Sequence, residues 1–186
     1  MMKLFNILLF LFLTSANLFS QNTDSLTKEI RIKYNYTRAN LSSFDTTMIN
    51  IWDESTEGGI GIAFYENSEL KLIKVVFFGE IGRNVTEYYF DNGKLYFSFD
   101  QQFKYNRPIY WDETKIKELS DKEVFDDKKT IIKEDRYYFN NEVLFLWLDN
   151  EKKEIDLTLG TNLIVRESII SHLYKIKSKL KKVKQR

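Results

Sequence analysis

At 186 residues, with no Cys and one His, the chain can build neither a disulfide framework, nor a Cys–His pair, nor a His-rich zinc site. Its 28 basic and 27 acidic residues nearly cancel, so no global electrostatic case for nucleic-acid binding exists. Fifteen Phe, 11 Tyr and three Trp supply the apolar area a core needs, and a lone Pro with seven Gly argues against a linker-rich or disordered chain.

The chain opens Met1-Met2-Lys3 and continues LFNILLFLFLTSANLFS. A short basic start and an apolar run of that length predict a signal peptide over residues 1–20. Cleavage is expected after Ser20, with Ala16 as the other site and an uncleaved anchor as the third reading. No Cys follows the run, which excludes a lipid-modified lipoprotein. Removing the leader takes away one charge, Lys3, so residues 21–186 are formally neutral. They are long enough for one domain with a core, expected in the periplasm or secreted.

Ser25–Leu41 follows, with Leu26, Ile30, Tyr34, Thr37 and Leu41 at helical spacing. Asp24-Ser25 could cap its start. Ile30, Ile32, Tyr34 and Tyr36 also alternate as a strand would, so a strand stays open, although length favours the helix. Ile51–Gly59, IWDESTEGG, carries three carboxylates and a Gly pair. The spacing is not that of a calcium loop, and a connection between two strands is the simpler reading.

Ile60–Tyr65, Leu70–Phe78, Thr86–Phe90, Lys94–Phe99, Asp135–Phe139 and Val143–Leu148 are rich in β-branched and aromatic residues and predict strands. Three bends join them in pairs. Tyr65-Glu66-Asn67-Ser68-Glu69-Leu70, Phe90-Asp91-Asn92-Gly93-Lys94-Leu95 and Phe139-Asn140-Asn141-Glu142-Val143-Leu144 align without gaps. Asn and Gly tolerate the positive φ that two-residue hairpin turns demand. The third copy starts close to two periods after the second, so a degenerate copy is conceivable near Tyr110–Glu113; a meander with similar turns is the plainer expectation. Several strands carry aromatics on both faces, which calls for cover on both sides.

Gly79–Arg83 reads as a turn between strands, not a phosphate cradle. Ser120–Lys133 is strongly charged and reads as a solvated loop or short helix. From about Leu163 to Val183 the residues Val165, Ile169, Leu173, Ile176, Leu180 and Val183 form one helical stripe, with Thr161 or Asn162 as cap. His172 lies one step off that stripe, on the flank of the helix.

For ligand binding the aromatic residues Trp52, Tyr105, Tyr110 and Trp111, with Arg107 among them, are the candidates, since rigid rings give contact area at low entropic cost. Lys175, Lys179 and Lys182 belong to a Lys-rich tail that could meet a weakly anionic membrane surface. No metal site, cofactor motif or catalytic constellation is legible: GxxxxGK[ST] and GxGxxG are absent from the sequence. Paired carboxylates, of the kind glycan hydrolases use, cannot be placed from sequence.

STEGG at Ser55–Gly59, the EYYFDNGKL and RYYFNN segments, YNRPIYWD and Trp147-Leu148-Asp149 together resemble a group of small exported bacterial proteins of unknown function. The resemblance runs from about Ile30 to Asn150 and implies an exported domain; no activity comes with it. It marks Arg136 and Trp147 as recurrent positions without a role. The Phe/Tyr-x-Asn-Gly-x-Leu element is similar to the stacked hairpins of MORN-type and antitoxin-like proteins, although Glu142 stands where the third Gly belongs.

The expected architecture is α+β: a mostly antiparallel β-meander of about six to eight strands with an N-terminal and a C-terminal helix. The expected function is an exported, non-catalytic binding or interaction domain for an envelope glycan, peptide or protein. A carboxylate-based hydrolase and a membrane-surface protein are the alternatives.

Overall fold

The structure, a computed structural model, describes residues 23–184. The expected leader, its cleavage sites and the last two residues lie outside that range. Seven strands form one antiparallel sheet in meander order: β1 Asp45–Ile51, β2 Gly59–Glu66, β3 Glu69–Gly79, β4 Gly82–Asp91, β5 Lys94–Lys104, β6 Ile131–Asn140 and β7 Val143–Leu148. A helix, α1 over residues 23–40, precedes the sheet. A short helix, α2 (Glu113–Leu119), interrupts the connection from β5 to β6, and α3 (Val165–Lys184) ends the described chain.

The α+β meander is therefore the fold, with α1 and α3 each shielding one face. On one face, α3 contributes Ile169, Leu173, Ile176 and Leu180 to a cluster with Ile51, Ile73, Tyr88, Phe90, Leu95 and Phe139. On the other, Ile30 of α1 joins Leu72, Tyr89, Tyr96 and Phe97, with Tyr34 and Leu41 packed beside them. Residues 25–41 are thus helical up to residue 40, because Ile30 and Thr37 bury one face while Ile32 and Tyr36 stay exposed. A strand would have buried all of Ile30, Ile32, Tyr34 and Tyr36 on one side. Asp24 and Ser25, expected as caps, already lie inside the helix.

The repeated segments are one device used three times. Both central residues of each bend have positive φ: Asn67 and Ser68 at 49° and 70°, Asn92 and Gly93 at 50° and 76°, Asn141 and Glu142 at 49° and 64°. These are the dihedrals of the tight hairpin turn whose twist matches the strands. Each turn is followed by an unpaired residue, because Phe64 pairs Leu72 while Tyr65 pairs Leu70, leaving Lys71 out. Tyr96 and Phe145 are left out in the same way. These bulges increase local twist and let aromatic neighbours reach both faces.

The chain between the second and third hairpins holds no further copy. Tyr110 and Trp111 lie in a turn leading to α2, which was not expected, and β6 begins at Ile131, several residues before Asp135. Asp112 caps α2, its carboxylate accepting from the amides of Thr114 and Lys115 at 3.0 and 2.9 Å. Neither Thr161 nor Asn162 caps α3. Both fall within a 3-10 turn, Gly160–Ile164, and the Asn162 side chain donates to the Asp156 carbonyl instead.

The third turn gives a direct test. Glu142 holds a left-handed conformation that costs an L side chain energy and Gly none. Its carbonyl accepts from Arg166 Nε, an interaction Gly retains. Glu142→Gly is expected to stabilise by about 0.5–1 kcal/mol, read as a higher urea midpoint at unchanged slope. A lower midpoint would mean that the side chain itself anchors the turn.

Candidate functional site

The structure divides the sequence-derived residues between two places. Tyr105, Arg107, Tyr110 and Trp111 all lie in the β5–β6 connection, where they hold that loop together. Tyr105 packs edge-on against Phe125 at 5.3 Å, and its amide donates to the Ile81 carbonyl. Arg107 pairs with Asp121 at 3.1 Å and lies 6.0 Å over the Trp111 ring. The exposed Tyr110 donates to Glu80 of the β3–β4 turn.

Trp52 is distant in strand order, at the end of β1, and is 77% exposed. It shares a shallow groove with Met48 and Val183, and with Lys179 and Lys182 of α3. The sequence had placed Trp52 with the ligand-binding set and these lysines with a membrane set. Lys179 is also committed within the fold. It pairs with Asp53 and lies 3.6 Å from Glu54, while Lys175 lies 3.3 Å from Glu54. Lys177, of the same tail, sits 4.3 Å over the Phe90 ring, and burial lowers its pKa.

Glu54 begins a polar chain beneath α3. Its Oε2 lies 3.4 Å from His172 Nε2, and His172 Nδ1 lies 2.6 Å from the Tyr88 hydroxyl. Burial raises the Tyr88 pKa and lowers that of His172. Tyr88 therefore keeps its proton and its O–H donates a hydrogen bond to Nδ1 of a neutral imidazole, which leaves Nε2–H to face Glu54. This arrangement ties the β1–β2 connection, β4 and α3 together.

Beyond it on the same face, Asp100 of β5 stands directly opposite Asp135 of β6. Burial first, then the neighbouring Asp135 charge, push the Asp100 carboxyl up to about 6. Its Oδ1 is buried and meets no hydrogen-bond donor among the described residues, whereas Asp135 accepts from Trp147 Nε1 at 2.8 Å. Cross-strand neighbours stand about 5 Å apart at Cβ, so the two acids are close enough to feel each other's charge. Neither acid lines any cavity described here.

One concavity lies on the opposite face, between α1 and strands β5 to β7. It encloses about 330 Å³ and is lined in part by Tyr34, Phe97, Phe99 and Tyr138. Phe97 is the centre of the aromatic floor, 5.6 Å from Tyr34 and 5.0 Å from Tyr138, with Phe99 nearly parallel to it at 6.4 Å. Arg136 of β6 lies over Phe99 at 5.1 Å and pairs with Glu134. Arg31 of α1 and Lys152, after β7, complete the positive rim.

None of these pocket residues was singled out as a site from the sequence. Arg31, Phe97 and Arg136 belong to segments far apart in the chain, and only the meander brings them together. One local signal was present: Phe97 and Phe99 share a face of β5, so a pair of rings two residues apart had to be covered or left as a floor. Comparison of the chain with family models, with curated proteins and with solved structures finds no match.

Proposed function

We propose that this is an exported, non-catalytic binding domain whose ligand seats in the pocket between α1 and strands β5 to β7. Export rests on the leader-like first twenty residues. The binding reading rests on one observation: a concavity of about 330 Å³ floored by aromatic rings and rimmed by charge. That volume falls within the range of small-molecule sites, which combine apolar walls with a few polar groups. Its ionisable lining consists of Arg, Lys and Tyr. The lining holds no Asp, Glu, His or Cys, the side chains that most often act as general acid or base at neutral pH. No lining group is poised to exchange a proton with a substrate, which favours binding over acid–base chemistry.

The Asp100–Asp135 pair is the specific observation behind a second reading, a carboxylate-based hydrolase. It supplies two facing acids, one with a raised pKa. The burial of Asp100 Oδ1 counts against substrate reaching it.

Thermal unfolding against a library of envelope glycans, peptides and small metabolites tests the binding reading. A ligand at a hundred times its Kd is expected to stabilise by about 2.7 kcal/mol, without turnover. Asn35→Trp, at an exposed α1 position on the pocket rim, is expected to abolish the shift while leaving the Tm of the free protein in place. A ligand shift indifferent to Asn35→Trp, or conversion of the ligand to product, would overturn the proposal.

A further inference from the structure

The pocket concentrates positive charge in a chain whose charges nearly cancel. Arg31, Arg136 and Lys152 line it, and no acid does. The Glu134 carboxylate beside Arg136 is already engaged by Arg136 Nη2 and by Gln101 Nε2, the latter at 2.9 Å. The Arg136 guanidinium is held on two sides, by Glu134 and by the face of Phe99. Its other terminal nitrogen, Nη1, is buried and meets no acceptor among the described residues. A buried charged donor without an acceptor is costly, and Arg136 lines the pocket, so a turn of its side chain toward an anion seated there would relieve the cost.

A second observation locates the charge. The Tyr138 hydroxyl, kept protonated mainly by burial, lies within electrostatic reach of both Arg136 and Arg31. Arg31 of α1 and Arg136 of β6 line the same pocket as Tyr138, so two guanidiniums from different elements border one cavity. Guanidinium forks match the oxygens of carboxylate, sulfonate or phosphate groups. The rings of Tyr34, Phe97 and Phe99 offer the flat apolar surface against which an aromatic body packs.

We infer that this pocket takes an organic anion: a single acidic group carried on an aromatic or similarly flat apolar body. The inference rests on the binding reading given above and narrows it to one ligand class. The headgroup lies between Arg31 and Arg136, beside the Tyr138 hydroxyl, and the body lies on the Phe97 and Phe99 rings.

Two probes with the same ring system isolate the anionic group. 1-Anilinonaphthalene-8-sulfonate carries a sulfonate; N-phenyl-1-naphthylamine lacks it. Fluorescence titration of the chain from residue 21 onwards is expected to show saturable one-to-one binding of the sulfonate, at least tenfold tighter than the neutral probe. Arg31→Glu, at an exposed helical position, and Arg136→Gln are each expected to weaken the sulfonate at least tenfold and the neutral probe less than twofold. Near-ultraviolet circular dichroism and Tm establish that each variant is folded, since loosely packed chains also brighten this dye. Should Arg136→Gln fail to fold, Arg31→Glu carries the test.

Equal affinity for the two probes, both blocked by Asn35→Trp, would overturn the anion inference and leave the pocket as a binding site. Probe binding that Asn35→Trp does not block would overturn both the inference and the binding reading.

Discussion

A chain ending at Ser171 is expected not to fold. It loses Leu173, Ile176 and Leu180, all buried, and leaves Ile169 in a helical stub. Each such side chain contributes about 1.5–3 kcal/mol when buried. Three of them approach the whole net stability of an ordinary domain, about 5–15 kcal/mol. The loss also uncovers Ile51, Ile73 and Phe90 on the sheet and removes His172 from Tyr88. Far-ultraviolet circular dichroism and a urea titration should show no cooperative transition. A cooperative transition with a native-like midpoint would mean that α3 is an appendage, which would revive the membrane-surface reading. For the same reason, loss of vesicle binding in this truncation would report unfolding rather than a missing contact. Charge reversal at the exposed Lys182 is the informative change there.

Asp100→Asn is expected to stabilise the protein at pH 8 by about 1–3 kcal/mol, from a pKa displaced by roughly two units. The sign follows from the direction of the shift. The folded value, about 6, lies above the ordinary value, so between the two the folded state binds more protons than the unfolded one. Stability is then greatest below about pH 4 and falls as pH rises through 6. Asn mimics the neutral acid, so its advantage should be full at pH 8 and vanish at pH 4. His172 acts in the opposite sense. Its folded pKa is lowered by burial, so its contribution is lost as pH falls below about 6.5. The wild-type profile contains both limbs, and Asp100→Asn should remove the loss of stability as pH rises through 6 while leaving the His172 limb in place. Urea midpoints at pH 4, 6 and 8 separate them. A variant less stable than wild type at pH 8 would show that the fold stabilises the Asp100 charge.

The parts of the fold that were legible in sequence are those with a local cause. The Asn-containing bends announced themselves because only a few residue types sit easily at two successive positive φ values. The stripe from Ile169 to Leu180 was readable because one element packs a single face against one partner. α2 escaped notice because none of its seven residues is buried, so no periodicity marks it, although Asp112 stood ready as its cap. The bulges at Tyr96 and Phe145 appeared only as aromatic residues crowding both faces. The pocket was harder still. Arg31 and Arg136 are joined by no motif, and their convergence depends on α1 folding back over β5 and β6. Trp52, Lys179 and Lys182 were each noticed, but their shared groove is a tertiary fact: it needs the end of α3 to lie against β1.

The meander has a consequence for how the chain comes into being. Every strand pairs with its predecessor, so the sheet can be assembled in the order in which it is synthesised, with short loops to close everywhere but between β5 and β6. The cover on one face does not follow that schedule. Phe90 and its neighbours are made long before Leu173 and Ile176, and at ordinary elongation rates the interval is on the order of ten seconds. Throughout that interval the nascent sheet has one lidded side and one greasy side. Its window of vulnerability to self-association closes only when the last helix docks.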